Sequence, residues 1–272
     1  MKGQSRRTLI QCIAALVQNA YLPGLLNGVI YQGKSKLLCV PGLNCYSCPG
    51  ALGACPMGSL QAALGRRGRF PAYVLGTLLL FGVGLGRLVC GFLCPFGLLQ
   101  DLLAKVPLPK IRIPRRLDRP LRYLKYVVLI LLVVLAVLLR EPAFCKYLCP
   151  AGLLEAGLPL TSLNQQLSGM RGTLFYVKLG VLILIVLLSL IIFRPFCKYL
   201  CPLGAFYGLF NGAGFYRMRV EETKCVRCGK CQKACPMDVD VVKHPNSPEC
   251  IRCGKCRDAC PTKAISSGFR LK

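Results

Sequence analysis

Phe-Cys-Lys-Tyr-Leu-Cys-Pro stands at residues 144–150 and again, unchanged, at residues 196–202. Each copy closes a long apolar run. A related stretch, Cys90-Gly-Phe-Leu-Cys94-Pro95, closes another. The shared pattern is C-x3-C-P, giving the pairs Cys90/Cys94, Cys145/Cys149 and Cys197/Cys201. Residues at i and i+4 share one face of a helix. The spacing therefore predicts helical turns that aim two sulfurs at one metal centre, with the proline closing the turn. The residues after each Cys-Pro repeat as well: Cys94-Pro-Phe-Gly-Leu-Leu, Cys149-Pro-Ala-Gly-Leu-Leu and Cys201-Pro-Leu-Gly-Ala-Phe. A looser copy, Cys55-Pro-Met-Gly-Ser-Leu-Gln, matches Cys94-Pro-Phe-Gly-Leu-Leu-Gln. Its upstream partner is Cys48, or alternatively Cys45, since Cys45-x2-Cys48-Pro also has ligand-like spacing.

The last quarter of the chain carries two further runs. Cys225, Cys228, Cys231 and Cys235-Pro form one; Cys250, Cys253, Cys256 and Cys260-Pro form the other. Both read C-x2-C-x2-C-x3-C-P, the bacterial run for a [4Fe–4S] cubane, in which the fourth cysteine ligates the other cluster. The expected ligand sets are Cys225, Cys228, Cys231 and Cys260 for cluster A, and Cys250, Cys253, Cys256 and Cys235 for cluster B. Zinc sites do not use this spacing, and cysteines ordered this way do not form the framework of a disulfide-rich secreted domain.

The chain has 272 residues and 19 cysteines, and 54% of it is hydrophobic. Apolar runs at 72–90, 121–139 and 173–193 are long enough to span a bilayer. A weaker one at 8–30 contains Gln11, Gln18, Asn19, Pro23 and Asn27. The expected fold is a membrane α-helical domain of about four transmembrane helices over residues 1–216, followed by a small α+β ferredoxin-like domain with two [4Fe–4S] clusters over 217–272. No small-residue cleavage site follows a short apolar core, so no cleaved leader is expected.

The net charge is +26, from 36 basic and 10 acidic residues. Basic residues concentrate beside apolar runs, where they fix orientation, and around cysteines, where they offset thiolate charge. No nucleic-acid partner is expected. Arg6 and Arg7, the segment 105–122 and the tail fall on the cytoplasmic side by the positive-inside tendency; Arg66, Arg67 and Arg69 fall outside, against it. This arrangement puts Cys48/Cys55 with Cys145/Cys149 toward the outer face as cluster C. It puts Cys90/Cys94 with Cys197/Cys201 toward the inner face as cluster D. Cys12 reads as a small apolar packing residue, and Cys39 and Cys45 as structural or, on an oxidising side, as a disulfide.

One histidine, His244, excludes bis-histidine haem. No C-x-x-C-H and no G-x-G-x-x-G is present, so covalent haem and dinucleotide binding are unsupported. Asp101 and Glu155 read as helix-flanking carboxylates or proton relays, and Tyr147 and Tyr199 as interfacial aromatics. Lys224, Arg227, Lys230, Arg252 and Lys255 surround the ferredoxin runs and suit an acidic partner.

These motifs resemble the NapH/NosR-type membrane-bound polyferredoxins, on Cys90-Gly-Phe-Leu-Cys94-Pro, Cys197-Lys-Tyr-Leu-Cys201-Pro and the two ferredoxin runs. The resemblance implies electron transfer between quinol or cytoplasmic donors and a reductase outside. The family typically has two C-x3-C-P motifs; this chain has a third, plus Leu43-Asn-Cys-Tyr-Ser-Cys-Pro. The expected protein is a multi-pass protein of the cell (cytoplasmic) membrane, in contact with membrane lipid and with its ferredoxin domain cytoplasmic. It would carry four [4Fe–4S] clusters, two in each domain. Its expected partners are a ferredoxin or flavodoxin-type donor and an outer-face or membrane acceptor, with quinone a further option. Alternative roles are a quinol dehydrogenase or metal-ion reductase subunit, or a cluster-bearing assembly or regulatory factor.

Overall fold

The computed structural model describes residues 2–66, 70–169 and 171–269; Arg67 and Arg69 lie outside the described residues. Helix α1 spans Lys2–Gln18. The Asn19 amide donates to the Ala15 carbonyl at its end. A separate short helix, Leu22–Asn27, starts with Pro23 in its first turn and stops at Gly28, φ 65°. The run expected over 8–30 is therefore broken, because proline opens a new helix rather than continuing one. On α1 the polar side chains of Arg7 and Gln11 are buried, while Leu9, Ile13, Leu16 and Val17 are exposed.

Helix α2 is Pro56–Leu64. Helix α3 is Ala72–Leu85, stopped by left-handed Gly86, φ 53°. At 14 residues, α3 is about 21 Å long. That is short of the roughly 30 Å hydrocarbon core which the run 72–90, read as one helix, would cross. Helices α4, Leu88–Phe92, and α5, Pro95–Leu103, follow. Helices α6, Arg115–Leu139, and α7, Thr173–Ile191, are the long ones. Among the described residues, two segments, Arg116–Leu139 and Thr173–Ile191, are long and apolar enough to cross a bilayer. Only 17% of each most apolar window is buried, unlike a core helix of a soluble protein. Val127, Ile130, Val137, Val177, Leu184 and Leu187 face outward.

Each C-x3-C-P motif is preceded by a residue of positive φ; the helices before the first two stop at it, whereas α7 ends at Ile191 before extended Ile192. Gly86 (φ 53°) precedes Cys90, Arg140 (φ 57°) precedes Cys145, and Arg194 (φ 50°) precedes Cys197. The first cysteine of each motif lies in a short helical turn: α4, the π-helical Phe144–Leu148, and α8, Pro195–Tyr199. The second cysteine does not share that helix, contrary to the i, i+4 expectation. Cys55, Cys94, Cys149 and Cys201 each take extended backbone as the N-cap of the next helix, with proline in its first turn. Proline opens the new helix because its fixed φ suits the first turn and its missing N–H costs nothing there. Helices α2 and α9, Pro202–Leu209, pack against α6.

The C-terminal region is closed by an antiparallel pair, β1 Tyr216–Val220 with β2 Ile265–Phe269, in register Tyr216↔Phe269 to Val220↔Ile265. Helices α10, Lys230–Ala234, and α11, Lys255–Asp258, pack together between the strands. Each cysteine run has a left-handed Arg and Gly: Arg227 with Gly229, and Arg252 with Gly254. That alternation curls successive backbone N–H groups inward, a form suited to anionic clusters. The region is fastened to the helices by Arg87, which pairs with Glu249 at 3.1 Å, by the Lys125–Glu249 pair, and by Arg252, which donates to the carbonyls of Leu85 and Asn211.

Candidate metal centres

Cys225, Cys228, Cys231 and Cys260 line one pocket, and Cys235, Cys250, Cys253 and Cys256 line another. These are the sets expected for clusters A and B, with Cys235 and Cys260 exchanged between runs. The exchange arises because each fourth cysteine follows a one-turn helix that carries it across to the neighbouring loop.

A third quartet joins the second motif to the fourth. Cys90, Cys94, Cys197 and Cys201 are all buried and lie close enough to feel one another's charge. The Gly204 N–H points at Cys201 Sγ at 3.4 Å, and the Gly97 N–H at Cys94. Glycine suits these N3 positions: a Cβ on Gly97 would fall 2.9 Å from the Cys90 carbonyl oxygen. Two buried arginines brace the site crosswise, Arg87 to the Cys197 carbonyl and Arg194 to the Cys90 carbonyl. Arg194 is held in turn by Asp101, which also pairs with Arg7 and accepts from Gln11. Burial alone would raise the Asp101 carboxyl, but Arg194 and Arg7 hold it below the ordinary carboxylate range. Asp101 is thus the hub of an ion-pair network rather than a flanking carboxylate or a relay.

The remaining quartet joins the first motif to the third, and its fourth member is Cys45. Cys45, Cys55, Cys145 and Cys149 are mutually within electrostatic reach. Cys45 Sγ and Cys149 Sγ both lie 3.9 Å from the Cβ position of Gly152. Cys48 instead aims its sulfur at Asn19 Oδ1, 3.6 Å away. The Cys45–Pro49 turn, closed by the Cys48 N–H on the Cys45 carbonyl, allows only one of the two thiols to face the site. Glu155 accepts from the Cys45 N–H at 2.6 Å, and burial pushes its carboxyl up to about 8. Cys39 forms a bridge pair with Ala54, and Cys12 is half-buried.

Three polar residues, Gln61, Gln100 and Tyr207, escaped notice in the sequence, and one positional signal unites them with Glu155. Six positions after the N-cap cysteine stand Gln61, Gln100, Glu155 and Tyr207. Gln61, Gln100 and Tyr207 are fully buried. Gln61 donates to Cys145 Sγ at 3.2 Å and Gln100 to Cys197 Sγ at 3.1 Å. Tyr207 donates to the Pro41 carbonyl and lies within reach of Cys90 and Cys94 on one side and Cys55 on the other. Tyr199 is buried and donates to Asp118 at 2.6 Å, whereas its counterpart Tyr147 is 47% exposed. One heptapeptide thus keeps its cysteine roles in two different environments. Lys224, Arg227, Lys230 and His244 are exposed; Arg252 is buried as a tether and is not free to meet a partner.

The donor sets suit cubanes. Among the described residues, no three His, Cys, Asp or Glu side chains close on a single ion. A cubane is ligated at the corners of a box several ångströms wide, which spreads its four sulfurs beyond the shell of one metal ion. Inward N–H groups and buried guanidinium groups offset the negative charge of such a group.

Comparison with known proteins agrees. A family described as "4Fe-4S binding domain" matches residues 70–114, 121–158 and 174–220, one match for each helix–stop–cysteine unit. A "4Fe-4S dicluster domain" matches 217–261. An uncharacterised protein of Methanocaldococcus jannaschii is 36% identical over 69% of this chain and 74% of its own length. The putative electron transport protein YccM of Escherichia coli is 28% identical over 62% and 47%, and the ferredoxin-type protein NapH of Haemophilus influenzae is 28% identical over 62% and 54%. The match spans about half the length of the latter two. No solved structure matches the chain.

Proposed function

The chain belongs to the NapH/NosR-type polyferredoxins, ferredoxin-type electron transport proteins with [4Fe–4S] domains, and on that premise we propose that it is a transmembrane electron wire. Clusters A and B are held in the ferredoxin region, cluster D by Cys90, Cys94, Cys197 and Cys201, and cluster C by Cys45, Cys55, Cys145 and Cys149. One observation carries this reading: cysteines from all four quartets pack into or against one hydrophobic core. The Gly91 backbone abuts the Ile251 carbonyl between B and D, and Tyr207 stands between D and C. Such groups pass single electrons. The chain's own residues fix the distances, exclude water and set the charge around each site.

The outward apolar faces of α6 and α7 support a membrane location. The short α1 and α3, with their exposed apolar sides, would lie in the same apolar layer beside them. The quartet of cluster D lies near the Arg115 end of α6, through Lys198 paired with Asp118. The quartet of cluster C lies near its Arg140 end, where Gly65 meets Arg140. The ferredoxin region, with exposed Lys224, Arg227 and Lys230 near cluster A, receives electrons from an acidic cytoplasmic ferredoxin or flavodoxin-type donor. Cluster C delivers them to a membrane or outer-face acceptor.

A cleft of about 830 Å³ between Asp118, Arg119, Arg122, Asp240 and His244 favours a second reading, quinol oxidation at the base of α6. A quinol analogue that protects Arg119 from chemical modification would support it. Iron and acid-labile sulfide per chain, on protein purified without oxygen, test the wire. Four cubanes give roughly 16 of each, and the ferredoxin region alone roughly 8; the lower count would sink the reading.

A further inference from the structure

Gln61 and Gln100 occupy the same place in two copies of one unit. Each follows its N-cap cysteine by six positions and lies fully buried, with its amide nitrogen on a sulfur of a different motif. The orientation of Gln61 is fixed by its neighbours. Its Oε1 accepts from the Phe144 N–H at 3.0 Å, so Nε2 must face the Met57 carbonyl and Cys145 Sγ, both at 3.2 Å. The reverse orientation would set donor against donor. Gln100 Oε1 has no partner, while its Nε2 reaches Cys197 Sγ at 3.1 Å. A buried amide with an orphaned oxygen is kept there by what its nitrogen does. The other two residues in this slot act differently. Glu155 and Tyr207 bind backbone of the 41–45 loop, so the slot does not by itself require a sulfur contact.

We propose that Gln61 and Gln100 are paired positioning residues that set the reduction potentials of clusters C and D, each through one N–H···S hydrogen bond. This rests on the reading that these eight cysteines ligate clusters. One-electron reduction adds a unit of negative charge to a cluster, part of it on the ligand sulfurs, and transfers no proton. A donor on a ligand sulfur stabilises the reduced form more than the oxidised one, because hydrogen bonds strengthen with acceptor charge. Hydrogen bonds to cluster sulfurs are among the determinants of potential. The pairing also makes the effect local. Gln61 acts on cluster C, and Gln100 on cluster D.

The test is an EPR-monitored redox titration of the full chain, comparing wild type with Gln61→Met and Gln100→Met. Methionine keeps the volume and removes the donor. In each variant one cluster is expected to become harder to reduce, by up to a tenfold change in its reduced-to-oxidised ratio at fixed potential, about 59 mV for one electron. The other three midpoints should stay put, and iron should remain near roughly 16 per chain. Full iron with unmoved midpoints would overturn the inference. About 8 iron in wild type would overturn the cluster reading instead. Should a methionine variant lose its cluster, the wild type still decides. With 15N in the glutamine side chains, a hyperfine coupling to the reduced clusters supports the inference, provided Gln61→Glu and Gln100→Glu each remove part of it. No 15N coupling in wild type overturns it.

Discussion

Arg87 and Arg194 are exchanged across the quartet of Cys90, Cys94, Cys197 and Cys201. Arg87, three residues before Cys90, donates to the carbonyl of Cys197 at 2.9 Å; Arg194, three residues before Cys197, donates to that of Cys90 at 2.6 Å. Each guanidinium is fully buried and carries its own carboxylate, Glu249 for Arg87 and Asp101 for Arg194. Two units of one repeat thereby face each other, and each holds the other's ligand turn.

Removing one member of such a pair leaves an uncompensated buried charge. Arg87→Leu strands part of the Glu249 charge and frees the Cys197 turn, and a loss of about 3–5 kcal/mol is expected. Thermal unfolding in detergent should show a lowered midpoint. Restoring the charge with Arg87→Lys should recover little of it, because a lysine cannot reach the Pro248 carbonyl, Glu249 and the Cys197 carbonyl together.

The quartets predict which cysteine losses are redundant. Cys94→Ser and Cys197→Ser should each remove about four iron per chain, and the double variant no more than either alone. Cys94→Ser with Cys149→Ser should remove about twice as much. An additive loss in the first double variant would show that the motifs do not combine as the structure pairs them.

Cys45 and Cys48 separate cleanly. Cys45→Ser should lose cluster C, while Cys48→Ser, whose sulfur faces Asn19, should keep its full iron. Equal iron in the two variants would contradict the geometry.

Gly91 packs its backbone against the ferredoxin region at Ile251. A Cβ there would collide with the Ile251 carbonyl oxygen, which is backbone and cannot step aside. Gly91→Ala should loosen the docking, and limited proteolysis should release the 217–269 region faster than in wild type. Gly76→Ala, where a Cβ meets open space, is the matched control.

Asp101 gives a pH signature. Arg194 and Arg7 hold its carboxyl below the ordinary value, so it stabilises the fold above about pH 4 and loses that effect as pH falls through its folded value. Asp101→Asn should therefore lower the unfolding midpoint at neutral pH. The gap to wild type should close on acidification below about pH 4. A gap that stays constant with pH would remove the carboxylate from the account.

Much of this protein is written in local sequence. The ferredoxin runs are legible in the spacing, because x2 gaps let one loop reach three corners of a cubane, and the known run carries the x3 residue across to the other. The apolar runs at 121–139 and 173–193 announced α6 and α7, since length and hydropathy are one-dimensional properties. The pairing of alternate C-x3-C-P motifs is an expectation drawn from charge asymmetry across four spans; in the fold the paired cysteines meet through packing. Tertiary structure decided the rest. A spacing of four suits one helix, but the proline opens a second one, which makes each Cys-Pro an N-cap. Cys45 and Cys48 are equivalent in a string and differ only once the loop turns toward Asn19. Asp101 reads as a helix-flanking carboxylate or a relay, and Arg252 as a docking charge, until packing buries both against partners far along the chain. The six-residue offset that selects Gln61, Gln100, Glu155 and Tyr207 is visible in the letters, yet which of them meets a sulfur depends on the unit packed opposite, and only the fold supplies that.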